Sequence, residues 1–182
     1  MASCKKLRLM DQSDLLAKEG YSSTGVCYYL CTYLEEQFWK KGITYDKAQE
    51  VIGKIVPTTM INAAKAKNLK EKSGVAHGTA QDVQNHKKRT KPLTNNKLYR
   101  MCLWFGLKPK QPNDDDDVNH SVIVFTGAGC KALLYEPNFG FYEVDKEKEA
   151  DNREVIEAAI AQLYVERNAA YHVKNFYYPG QK

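Results

Sequence analysis

The chain has 182 residues, of which 43% are apolar, and its 27 Lys and Arg outnumber 22 Asp and Glu to give a formal net charge of +5. That length suits a single domain burying roughly 70% of the surface its unfolded chain exposes, and the ordinary composition excludes a collagenous or largely disordered chain. The charge excess is mild and scattered, no apolar run reaches membrane-span length, and the first fourteen residues lack the apolar core of a secretory signal, so neither a nucleic-acid footprint nor a membrane span is expected.

Ser22, Ser23 and Thr24 offer caps for a helix running to about Lys41, just before Gly42. Val26, Tyr29, Leu30, Tyr33, Leu34 and Phe38 recur at helical spacing and form its buried stripe. With Thr24 as the cap, Cys27 is the third helical residue, and Cys31 follows one turn later on the same side. The stretch 45–72 reads as helical with a break at Pro57, which ends one helix and allows another from Met60. Polar segment 73–96, with Gly74, Gly78 and the run His86-Lys87-Lys88-Arg89, reads as a long surface loop; its basic run has no interleaved aromatic residue to stack on a base. Apolar segment 98–107 is a buried helix or a strand, too short for periodicity to separate the two. A loop carrying Asp114, Asp115, Asp116 and Asp117 follows.

From His120 the period changes. Segment 120–126 is rich in β-branched and aromatic residues and stops at Gly127-Ala128-Gly129, while 131–135 and 139–144 continue the pattern as antiparallel neighbours. Segment 150–167 is a helix with Val155, Ile156, Ala159, Ile160 and Leu163 on one face, and 171–178 is a last strand. Helices first and sheet second define an α+β domain spanning residues 1–182.

Three residues carry chemistry. Cys27 lies in the first turn of a helix, where unpaired N–H groups and the helix dipole favour thiolate. His120 opens a strand and can take the thiol proton; Glu136 closes the next strand in Tyr135-Glu136-Pro137-Asn138-Phe139-Gly140 and can orient the ring. Singly, each has an ordinary structural reading: a packed core thiol, a satisfied strand-end histidine, a turn carboxylate. In this order and with the neighbouring box they form a nucleophile, a base and an orienter. Five cysteines, an odd number without regular spacing, argue against a disulfide framework and leave at least one thiol free, and the reactive-thiol reading requires a reducing setting; Cys31 is the one rival to Cys27, sharing its face. No metal is expected, since His77 and His86 stand apart from any thiol and the Asp run lacks the spacing of a calcium loop.

Gly25-Val26-Cys27 with Leu30, His120 followed by Val122-Ile123-Val124, and the box Glu136-Pro137-Asn138-Phe139-Gly140 resemble the YopT and AvrPphB family of bacterial effector cysteine proteases, a distant branch of the papain-like fold. The resemblance spans 25–144 in order, with 41–98 matching nothing. It implies a papain-like domain with the nucleophile at the head of a central helix, N-terminal helices packed on a C-terminal antiparallel sheet, and no cofactor. It implies Cys27 as nucleophile, His120 as general base and Glu136 as orienting acid, together with a virulence role, delivery by a bacterial secretion system, a host protein as substrate and action in a reducing host cytosol. Export would leave no apolar leader; otherwise the protein is cytoplasmic.

Two departures stand out. The acid is Glu where the family has Asp, so His120 could take another partner such as Asn119 or Asn138. No Gln or Asn lies between Asp14 and Cys27 to complete an oxyanion hole, so Ser22, Ser23 or Thr24 would substitute, with Asn138 in support, or Gln12 would reach in. The same triad also serves deamidation or amine transfer on Gln or Asn side chains, and the same shell could serve a non-catalytic binding module.

Overall fold

The computed structural model describes residues 3–20, 26–71, 93–107, 118–129, 131–145, 152–166 and 171–177. At its centre is an antiparallel sheet of strands β1 (Ser3–Leu9), β2 (Leu98–Leu107), β3 (Val118–Thr126), β4 (Lys131–Glu136), β5 (Gly140–Asp145) and β6 (Tyr171–Tyr177). Their order is β1-β5-β4-β3-β2-β6. Around it lie helices α1 (Gln12–Lys18), α2 (Cys27–Glu35) prolonged by a π-helical turn at Glu36–Lys40, α3 (Tyr45–Lys54), α4 (Pro57–Glu71) and α5 (Asn152–Glu166). Mixed helix and antiparallel sheet is the α+β class expected.

Strand alternation explains how the sheet is covered. Ile123, Phe125, Leu133 and Tyr135 belong to a core shared with Leu30, Leu34, Ile52 and Met60 of α2, α3 and α4. The intervening Val122, Val124, Ala132 and Leu134 belong to a second core with Ile156, Ile160 and Leu163 of α5. A sheet buried on both faces produces the near-continuous apolar runs of β3 and β4.

The structure departs from the sequence-based expectation at β1 and at Pro57, and it decides the open choice between helix and strand for segment 98–107. The sheet is not confined to the C-terminal half: β1 leads the chain and pairs antiparallel with β5, from Ser3↔Asp145 to Leu9↔Gly140. Helix α5 covers the face opposite to that of α2, α3 and α4. Segment 98–107 is a strand, held between β3 and β6. Pro57 begins α4 rather than preceding it, as its fixed φ and missing N–H suit a first helical position. The loops expected over most of 73–96 and over 108–117 lie outside the described residues.

Two features position the site. Strand β3 pairs with β2 from Val118 to Phe125, but with β4 only from Ile123 to Thr126, so 118–122 have no β4 partner. Strand β4 then ends at Glu136, and the turn 137–139 docks on the β1–α1 connection: Gln12 N–H donates to Pro137 O at 2.8 Å and Met10 N–H to Phe139 O at 3.3 Å. Gly140, at φ +127°, permits that approach, since a Cβ there would stand 2.1 Å from Arg8 O.

Candidate active site

Cys27 is the first residue of α2, not the third, and the cap position is Val26, which supplies no side-chain cap. The capping is done from the preceding helix: Val26 N–H donates to Gln12 Oε1 at 2.9 Å, across 14 residues of chain. The first backbone bond of the helix runs from Leu30 N–H to Val26 O. The thiol therefore sits where helical N–H groups have no carbonyl of their own helix to bond. It is partly exposed, whereas Tyr29, Leu30 and Cys31 beyond it are buried. Ser22, Ser23 and Thr24 lie outside the described residues.

His120 and Glu136 are brought together by register. Ile123 pairs with Tyr135, so Glu136, next on β4, extends diagonally toward His120, and alternation puts both side chains on the α5 face of the sheet. His120 Nε2 hydrogen-bonds Glu136 Oε1, and both side chains are buried, at 5% and 0% exposure. Glu136 reaches the ring itself despite its extra methylene. The same Oε1 accepts from the Asn138 backbone N–H at 3.0 Å, an Asx-type turn made by a glutamate.

Cys27 completes the set by hydrogen-bonding the His120 ring. With Nε2 held by Glu136, Nδ1 is the nitrogen left to face sulfur. Ser121 N–H also donates to the Cys27 sulfur. This is the consequence of the short β4: where a strand partner would take the N–H of Ser121, the head of α2 takes it instead.

Electrostatics follow from these contacts. Burial pushes the Cys27 thiol up, but the adjacent His120 charge, its hydrogen bond and the Ser121 N–H together bring it below its ordinary value, against the opposing charge of Glu136. Burial pushes His120 down, yet the carboxylate of Glu136 and the sulfur of Cys27 raise it to about 10. Both shifts favour the same pairing, thiolate beside imidazolium, backed by a carboxylate. Cys31 contrasts with its neighbour one turn away: complete burial holds its thiol well above the ordinary range, so it is no rival nucleophile.

The sequence reading did not assign Tyr164 and offered Gln12 only as one that might reach in. Asn138 Oδ1 accepts from Gln12 Nε2 at 2.7 Å, and Asn138 Nδ2 donates to the Tyr164 hydroxyl at 3.1 Å. Asn138 thus links the carboxylate turn to the amide that caps α2, rather than serving His120 in place of Glu136. The signal for Gln12 was the box itself, whose backbone pairs with the residues flanking Asp11; the signal for Tyr164 was its place one residue past Leu163 on the apolar face of α5.

Among the described residues no group of three His, Cys, Asp or Glu side chains is placed to hold a metal ion, and no helix is long and apolar enough to cross a membrane. Comparison with family models, with curated proteins and with solved structures finds no match to this chain.

Proposed function

We propose that the protein is a thiol hydrolase of papain-like type, a cysteine protease acting through Cys27, His120 and Glu136. The observation that carries this reading is the lowered thiol of Cys27, at a helix start, hydrogen-bonded to a histidine whose far nitrogen is held by a buried carboxylate. That arrangement performs nucleophilic acyl transfer. The thiolate attacks a carbonyl carbon, and His120 gives its proton to the departing amine. Water then attacks the thioester, giving one proton to His120 and releasing the acid product, with the sulfur leaving as the thiolate that restores the starting pair. Glu136 keeps the ring oriented and compensates its positive charge.

The oxyanion needs donors at the point where charge develops. The Cys27 N–H at the helix start is one, and the Gln12 amide, anchored between Val26 and Asn138, is the side-chain donor nearest in the chain of contacts. The resemblance of the Gly-Val-Cys segment and the Glu-Pro-Asn-Phe-Gly box to the YopT and AvrPphB effectors extends the proposal to a host protein as substrate, met in a reducing cytosol after secretion. No cofactor enters the chemistry proposed.

Incubating the native protein and Cys27→Ala with a reduced cytosolic extract, followed by peptide mass analysis, tests the proposal. New chain termini made only by the native protein are the expected result. Gln or Asn residues heavier by about one mass unit would move the activity to side-chain deamidation by the same acyl-enzyme route. Identical extracts from native and variant would remove the hydrolase reading and leave the fold as a binding module.

A further inference from the structure

The Cys27, His120 and Glu136 reading leaves one buried feature unused. Glu136 Oε1 receives two donors, His120 Nε2 and Asn138 N–H, while Oε2 is fully buried with no hydrogen bond closed to it. A carboxylate oxygen without a donor is costly in so dry a place. A hydroxyl facing the Glu136 carboxylate belongs to Tyr164 of α5, which is 2% exposed and reaches the carboxylate from the α5 face of the sheet.

Tyr164 is held from two directions. Its ring packs edge-on against Phe139 of the box at 4.9 Å between centroids, and its oxygen accepts from Asn138 Nδ2 at 3.1 Å. An oxygen that is already accepting has its own proton to give, and the neighbouring acceptor is the Glu136 carboxylate. The phenol keeps that proton, because burial and the adjacent carboxylate raise it well above its ordinary range.

We propose that Tyr164 is a positioning residue for the Cys27–His120 pair: oriented by Asn138, its hydroxyl donates to the Glu136 carboxylate, commits Oε1 to His120 and draws negative charge away from the thiol. The inference rests on the hydrolase reading and adds a residue that touches neither sulfur nor substrate. Titratable groups around the carboxylate are His120 on β3, Cys27 and Cys31 on α2, Tyr135 on β4 and Tyr164 itself; the thiol of Cys31 and the phenol of Tyr135 keep their protons through burial.

Tyr164→Phe keeps the ring against Phe139 and removes only the hydroxyl, both the donor toward Glu136 and the acceptor of the Asn138 Nδ2 bond. Three readings are taken on native and variant full-length protein: the thermal midpoint, the rate of Cys27 alkylation by iodoacetamide against pH, and the low-field proton resonance of the His120–Glu136 hydrogen bond. In the variant the carboxylate holds its full charge, so the acidic limb of the alkylation profile moves up by about one pH unit, a roughly tenfold slower reaction on that limb. The resonance moves to lower field as the carboxylate grips the imidazole proton more strongly.

A variant that only melts earlier, with profile and resonance unchanged beside an activated native thiol, overturns the inference and leaves Tyr164 a packing residue. A native thiol that reacts slowly at every pH overturns the hydrolase reading instead, and the resonance then decides the Tyr164 contact independently.

Discussion

Residue by residue, the site is a line of alternating charge: Cys27 sulfur, His120 imidazole, Glu136 carboxylate. Its signature in stability is as specific as its signature in reactivity. The folded-state pKa of His120 is raised from 6.5 to about 10, chiefly by the Glu136 charge working against burial. A group raised on folding stabilises fully below its unfolded value and loses that contribution as pH climbs through the folded one. Native stability from this histidine is therefore complete below about pH 6.5 and falls between there and about 10. Urea midpoints measured across that window should show the fall in the native protein, reduced by the Cys27 thiol, which is lowered on folding and contributes in the opposite sense. Glu136→Gln, which removes the charge that raises His120, should flatten it; an equally steep fall in the variant would mean that another group sets it.

At the level of elements, the site depends on a strand that stops early and a turn that folds back. Because β4 releases β3 at Ile123, the head of α2 can take the Ser121 N–H; because the turn 137–139 packs on Met10 and Gln12, the helix preceding α2 can cap it. Gly140 is the hinge between these two arrangements. Its positive φ and the closeness of Arg8 O leave no room for a side chain. Gly140→Ala should cost about 2–4 kcal/mol from backbone strain and the displaced β1 edge together. Urea denaturation measures it, and a loss within about 0.5 kcal/mol, the range of an ordinary surface substitution, would show that the edge strand can yield.

Across the whole molecule, the parts legible in the sequence were those decided by local pattern. The stripe from Val26 to Phe38, the β-branched run after His120, the Glu-Pro-Asn box and the face of α5 each announce themselves through spacing, and each forms the element expected. What sequence did not show was decided by distant partners. Strand β1, Ser-Cys-Lys-Lys-Leu-Arg-Leu, has no apolar run because it is an edge, with exposed lysines that suit an unpaired side, and only β5 makes it a strand. The start of α2 falls at Cys27 rather than two residues earlier because Val26 is the cap position and its N–H is held by the distant Gln12. Tyr164 shows in the sequence only as part of the apolar face of α5, because nothing local relates a residue there to a carboxylate at the end of β4.

All of this converges on one claim, that Cys27 is an activated thiol and His120 activates it. The measurement that tests it most directly is the rate of alkylation at Cys27 against pH, located by peptide mass, in the native protein and in His120→Ala, with buried Cys31 as the internal reference. The structure predicts fast modification of Cys27 beside an unreactive Cys31, persisting well below the ordinary thiol value of about 8.5 and collapsing in the variant. A slow thiol with an ordinary pH dependence, indifferent to His120, would contradict it.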